Sequence, residues 1–405
     1  MIKKNLFFKN NIHQKYLNSS FLKKSVKKFE KIIQEINIHI NSSTETLNVL
    51  SKNYRFNFQT KDLKNFKKFK SIAIIGMGGS VLGSEAIYNF LEKKIKKKVY
   101  FFDDLNSNKI VNLRNKENLN KILFLIISKS GNTIETLSNT FTLNIVKKNA
   151  KNIIVISERK DNLLFSFTKK LNLFYVEHEE NIGGRYSVLS EVGIIPAYLM
   201  GVNIIKLRSE TLTFLKKKRK LFLKESTMKL ASLLNSKKIN NLIFLNYAPQ
   251  LENFLYWCQQ LIAESLGKEG KGFMPMISNV PKDHHSLLQL YLDGPRNKLF
   301  HIFSIEEKLN IKLNTKKIFK KNFFLENQTL HSVKVAQKNA LIKAFKKKKI
   351  PYREFKIKEI NAQVLGELFS YFILETVIIG KLSKINPFNQ PAVEQVKVYT
   401  KKFLT

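Results

Sequence analysis

SIAIIGMGGSVLG (71–83) runs from a short apolar stretch into a glycine-rich turn, and then into a helical pattern from Leu82 to about Lys94. A buried strand, a turn and a helix in that order make one βα unit. The alternation continues outward from it. VYFFD (99–103), ILFLIIS (122–128), NIIVIS (152–157) and LFYVE (173–177) read as further strands, with helical patterns between most of them. Short strands alternating with helices predict an α/β fold with a doubly wound, mostly parallel sheet. Upstream, residues 1–45 read as an N-terminal helical arm. Downstream, from about 206, a second region is more helical. It has strands at NLIFLNY (241–247), KLFHIFS (298–304) and YREFKI (352–357), a long helix over 361–380 and a last helix after Pro391. The expected domains are therefore 46–205 and 206–405.

A chain of 405 residues is long enough for two substantial cores, and 43% hydrophobic content with 32 Phe is globular. The single cysteine, Cys258, excludes an intramolecular disulfide and fits a reducing cytoplasmic setting. MIKKNLFFKNN offers only three apolar residues in a row, which is no signal-peptide core. Charged or amide residues interrupt every long apolar stretch, so no membrane partner is expected. The formal charge of +40 is spread along the chain. Its densest runs, KKIKKK (93–98), KKKRK (216–220) and KKKK (346–349), fall at helix ends or on polar helix faces and lack interleaved aromatics. No dedicated nucleic-acid partner is expected, although a positive field draws in small anions.

Three loops carry chemistry. GMGGSVLG (76–83) opens a helix behind a strand, where backbone N–H groups and the helix dipole favour an anion. Asp103 and Asp104 end the next strand, where a dinucleotide enzyme would hold a ribose, but Val81 stands where that fingerprint wants Gly or Ala. SKSGNTIET (128–136) also follows a strand and opens a helix, with hydroxyls at Ser128, Ser130 and Thr133. Ordinary capping accounts for one hydroxyl, not three around a glycine. In NIGGRYSVLSEVG (181–193) two glycines allow close approach of a ligand and Arg185 presents a fixed positive fork.

A fourth stretch, QLIAESLGKEGKG (260–272), places a carboxylate oddly. The run before it is an amphipathic helix with Phe254, Trp257, Cys258, Leu261 and Leu266 on its apolar stripe. Glu264 falls on or beside that stripe, seven residues after Trp257. Either it serves a pocket, with Gln260 one turn earlier as its neighbour, or it forms an i,i+4 pair with Lys268. Asp283, His284 and His285 hold candidate metal ligands, but adjacent helical histidines point apart and no fourth ligand is evident. No metal is expected.

These segments, with DHHSLLQ (283–289) and INPFNQPAVEQVKVYTKKFL (385–404), resemble in order the glucose-6-phosphate isomerase family over roughly 70–405. The resemblance implies two α/β sandwich domains of sugar isomerase type, with mostly parallel sheets flanked by helices, and no cofactor. Gly79 and Ser80 fall on the family's first phosphate loop, and Ser128, Lys129, Ser130 and Thr133 on its second. Arg185, on what the family match makes an arginine strand, falls on the arginine near the reacting carbons. Gln260 and Glu264 match the substrate-contacting glutamine and the base. His285 rather than His284 matches the family histidine, because the Ser-x-x-Gln after it sets the register, and Gln390 and Lys397 match the C-terminal glutamine and lysine.

The implied activity interconverts glucose 6-phosphate and fructose 6-phosphate, as in glycolysis and gluconeogenesis. One carboxylate moves a proton between adjacent carbons through a cis-enediol, with partial burial expected to raise its pKa. Arg185 would stabilise the enediolate, and His285 with Lys397 would open the sugar ring. The family histidine reaches the site from the other subunit, so a homodimer is expected. The chain is short for the family. Its SGNT form also occurs in bifunctional phosphoglucose/phosphomannose isomerases, which lack the ESLGKEG and NPFNQPAVEQ segments. A non-catalytic sugar-phosphate sensor would keep the phosphate loops but would not need Glu264, His285 and Lys397 together.

Overall fold

A computed structural model describes residues 6–307, 311–315 and 323–404. The chain begins with strand β1 (Leu6–Asn11) and helix α1 (Ser19–Asn41), so the expected helical arm is only partly helical; its residues 1–5 lie outside those described. β1 pairs antiparallel with a strand late in the chain, from Leu6 opposite Ile357 to Asn11 opposite Tyr352. Six residues are too few to display a helical or strand period. Their place is set by tertiary contacts, since Phe8 stacks on Phe222 at 4.6 Å and meets Phe355 edge-on at 5.4 Å.

The first sheet follows the expected alternation: β2 (Ser71–Ile75), α2 (Leu82–Leu91), β3 (Lys98–Phe102), α3 (Ser107–Lys116), β4 (Ile122–Ile127), α4 (Ile134–Leu143), β5 (Ile153–Ser157), α5 (Leu163–Leu171) and β6 (Phe174–Glu177). The strands are all parallel in the order β3-β2-β4-β5-β6. Because side chains alternate across a strand, Ile72, Ile74, Leu123, Leu125 and Ile127 enter one core while Ala73, Ile75, Phe124 and Ile126 enter another. Both faces are covered, which explains the unbroken apolar runs. The chain leaves β2 toward β3 on one side and returns past it to β4 on the other. The loops after β2 and β4 therefore diverge at a topological switch point, where open α/β sheets place ligands.

Helices α6 (Glu191–Leu199), α7 (Ile204–Arg208) and α8 (Lys217–Ser236) lead into the second sheet, which comprises β7 (Asn241–Asn246), β8 (Met274–Asn279), β9 (Lys298–Ile305) and β10 (Tyr352–Ile357) together with β1. Its order is β1-β10-β9-β7-β8, parallel except for β1. The intervening helices are α9 (Glu252–Leu266), α10 (His284–Asp293) and α11 (Leu330–Lys347); α12 (Ala362–Leu382) and α13 (Glu394–Leu404) end the chain. β8 was not legible as a strand because Pro275 interrupts it and Met274 and Met276 are exposed; both are tolerated at an edge. α12 is long and apolar enough to cross a membrane but lies buried in the protein.

One core joins the two sheets. Ile72 and Leu125 of the first share it with Leu242 and Phe244 of the second, with α9 and α12 between. Each fully buried Leu, Ile or Phe contributes about 1.5–3 kcal/mol, so the shared core holds the two sheets together. The expected arginine strand is instead a 3-10 run, Gly184–Leu189, leading into α6. Ser187 Oγ donates to the Gly184 carbonyl at 2.7 Å and Ser190 Oγ to the Ser187 carbonyl at 2.9 Å. Such local side-chain bonds offer the backbone an alternative to a sheet ladder.

Candidate active site

Arg185 is the centre of the seam. Its side chain is 1% exposed and every nitrogen is used. Nε donates to Ser265 Oγ at 2.8 Å. Nη1 donates to Glu264 Oε2 at 3.1 Å and to Gln390 Oε1 at 2.8 Å. Nη2 donates to the carbonyls of Pro387 at 2.7 Å and Asn389 at 3.2 Å. A planar fork with five donors suits this set, and its orientation is locked before any ligand arrives.

Glu264 ends α9 with one oxygen on Arg185 and the other accepting from Gln260 Nε2 at 2.8 Å. Its side chain remains 32% exposed, so the carboxylate keeps an open face. The apolar enclosure expected from the helical stripe is thus corrected: residue 264 lies at the stripe's edge, and a guanidinium and an amide hold it. The i,i+4 alternative also fails geometrically. Lys268 turns away to donate to the Asn386 carbonyl and to Asn389 Oδ1. Burial first, and Arg185 second, push its ammonium down to about 8.

The first glycine loop lies directly on this centre. A Cβ on Gly79 would sit 2.2 Å from the Gly184 carbonyl carbon and 2.7 Å from the Arg185 nitrogen, so only glycine allows the approach. Ser80 is half-buried and its hydroxyl is engaged by no side chain among the described residues. At the adjacent strand end, Ser128 is buried and its Oγ lies 2.8 Å from Thr133 Oγ1. Thr133 is the N-cap of α4 yet makes no capping hydrogen bond, so the first N–H groups of that helix are left for an anion. Gly131 makes the turn at φ +65°. Ser130 is exposed, its Oγ 3.4 Å from the Asn132 nitrogen.

Three expected residues stand apart. The Lys129 side chain reaches the Glu180 carbonyl at 2.8 Å and Glu158 at 3.6 Å, away from the hydroxyls, because those acceptors lie nearer its stem. His285 is exposed on the first turn of α10 and hydrogen-bonds to none of the site residues; its neighbour His284 meets Tyr247 Oη at 3.1 Å. Lys397 pairs with Glu394 at 2.6 Å on α13, a helix with no buried residue. In this single chain neither joins the Arg185–Glu264 pair.

Sequence reasoning missed Ser265, Lys268 and the carbonyls of 387 and 389 as parts of the centre. Carbonyl partners carry no side-chain signature. The one usable signal was the buried serine beside Glu264. Together the parts set anion-ready turns at the ends of β2 and β4 and, against the first of those turns, a half-open carboxylate held by a buried guanidinium.

The family model described as Phosphoglucose isomerase matches residues 39–405. Glucose-6-phosphate isomerase from Methanocaldococcus jannaschii is 32% identical over 82% of this chain and 84% of its own length. The glucose-6-phosphate isomerase of Mycoplasmopsis pulmonis is 29% identical over 95% of this chain and 96% of its own. A solved glucose-6-phosphate isomerase from Chlamydia trachomatis superposes with a TM-score of 0.79 at 15% identity, covering 99% of this chain and 88% of that one, a likeness of fold.

Proposed function

We propose that this chain, which belongs to the phosphoglucose isomerase family, interconverts glucose 6-phosphate and fructose 6-phosphate with Glu264 as the proton carrier. The observation that carries the reading is the shared Arg185 Nη1, which ties Glu264 to Gln390 beside an open crevice.

The substrate phosphate sits on the turns after β2 and β4, held by the hydroxyls of Ser80, Ser128 and Thr133 and the free N–H groups of α4. That anchor fixes the far end of the sugar and holds its first two carbons at the carboxylate. Glu264 takes the proton from C2 of the opened aldose, giving a cis-enediol, and returns it to C1; the hydroxyl proton moves in compensation, so no atom is gained or lost. Arg185 faces the charge that develops on the enediolate oxygen. Gln260 and Gln390 steer the two carboxylate and guanidinium edges.

Ring opening needs an acid outside this cluster. His285 and Lys397 fill that role in a homodimer, with the partner's His285 completing each site and Lys397 brought in when α13 docks. The enzyme works in the cytoplasm. A coupled assay tests the reading: purified chain is given fructose 6-phosphate, and the glucose 6-phosphate formed is oxidised with nicotinamide reduction. Wild type turns over, and Glu264→Gln, which keeps the hydrogen bonds but not the base, loses about 10²–10⁴-fold in kcat. Equal rates in both would remove Glu264 as the base.

A further inference from the structure

Asp103 and Asp104, which the sequence offered to a ribose, are taken by Lys109: its Nζ lies 2.9 Å from one carboxylate and 3.2 Å from the other. Asp103 and Lys109 border a cleft of about 470 Å³ along the free edge of the first sheet. β3 is the end strand there. Lys98 N bonds the Lys70 carbonyl and the Phe102 carbonyl receives Gly76 N–H, so those residues face inward. By strand alternation, Val99 and Phe101 turn their N–H and C=O groups outward. Tyr100, Phe102 and Leu113 supply apolar walls.

Glu85, from α2, completes the lining. It is only 8% exposed, and among the described residues no hydrogen bond or ion pair reaches its carboxyl. The other buried glutamates are all served. Glu191 accepts from Tyr54 and from the Asn57 nitrogen, Glu367 pairs with Arg219, and Glu375 pairs with Arg353. Lys109, the base that acts on Glu85, is taken by Asp103 and Asp104. Burial, with Asp103 adding to it, pushes Glu85 up to about 7. Its oxygens are not sealed off; they open on the cleft and can take a donor from it.

We propose that this cleft binds a small organic cation, a primary amine or guanidinium carried on an apolar body, with its N–H groups donating to Glu85. Charge favours that class. Lys109 is held by Asp103 and Asp104, so Glu85 is the lining carboxyl left to meet a ligand's charge. The outward carbonyls of Val99 and Phe101 accept the remaining N–H groups, and the aromatic and aliphatic walls take the body. The volume suits a metabolite-sized molecule. The cleft lies on the free edge of β3 and shares no lining residue with the turns after β2 and β4.

Benzylamine is the probe and benzyl alcohol its uncharged counterpart. Isothermal titration at pH 7 is run on wild type and on Glu85→Gln, with turnover of both recorded to show that they are folded. Wild type takes up one benzylamine per chain saturably, and Glu85→Gln binds it at least about tenfold more weakly, as does wild type the alcohol. The wild-type enthalpy also varies with the ionisation enthalpy of the buffer, because cation binding drives a proton off Glu85 toward solvent. Absence of saturable uptake by wild type at tens of millimolar, or equal affinity in Glu85→Gln, overturns the proposal. An alcohol that binds as well as the amine overturns the assigned charge.

Discussion

Arg185, from the run that follows the first sheet, and Glu264, from helix α9 beside the second, meet at 3.1 Å, one fully buried and the other open to solvent on one face. The asymmetry matters for the chemistry. The guanidinium, held by five acceptors, cannot move, so reorganisation during turnover falls on the carboxylate and the substrate.

Arg185 therefore carries stability as well as turnover. Arg185→Ala leaves Glu264, Gln390 and two buried carbonyls without their donor, and a loss of about 3–5 kcal/mol is expected. Arg185→Lys supplies a point charge that cannot reach five acceptors, and it should restore little of kcat/KM. Urea denaturation beside the coupled assay checks both. Wild-type stability in the alanine variant would contradict the network.

Ser128→Ala should act on binding. The serine lies at the phosphate end of the crevice, far from the carbons that change, so KM for fructose 6-phosphate rises about tenfold while kcat stays within about twofold. Steady-state kinetics over a range of substrate separates the two. A fall in kcat at unchanged KM would place Ser128 elsewhere in the mechanism.

His285 and Lys397 both stand outside the single-chain site. Gel filtration should return a mass near twice the chain's 47.2 kDa. Mixing inactive Glu264→Gln with inactive His285→Ala, under conditions that exchange subunits, should regain activity, because one site in each hybrid holds both intact residues. No regain despite exchange would assign His285 to its own subunit's site or to none.

Glu85 makes stability depend on pH. A carboxyl raised from 4.5 to about 7 binds more protons folded than unfolded across that interval. The wild type therefore loses stability as pH rises from 4.5 to 7, and Glu85→Gln does not. The variant should be the more stable one at pH 8, by up to about 3 kcal/mol, with the gap closing below pH 4.5. Thermal unfolding from pH 4 to 8 measures it. Parallel profiles would mean that Glu85 titrates normally.

Much of the first domain could be read from the chain because parallel strands buried on both faces leave continuous apolar runs, such as ILFLII, that little else produces. The hydroxyl-rich turns were legible for a related reason: three hydroxyls around a glycine exceed what capping requires. The edge strands of the second sheet were not. β1 and β8 bury one side or less, so their composition carries no period and their partners lie far away in sequence. The arginine segment, a strand only by the family resemblance, is a 3-10 run held by its own serine hydroxyls.

Periodicity and ordered motifs, which are local properties of the chain, were enough for the doubly wound first sheet and the two loops at its switch point, while the roles expected of Glu264, Gln260 and Arg185 rested on the family resemblance. Tertiary structure alone decided which way each side chain turned. Glu264 faces Arg185 rather than Lys268 because the 385–390 segment draws both cations to its carbonyls and amides. Lys129 turns to Glu158, and Glu85 is left without a partner at a sheet edge. Those outcomes depend on which groups come within contact distance once distant segments pack together, and spacing along the chain does not contain that distance.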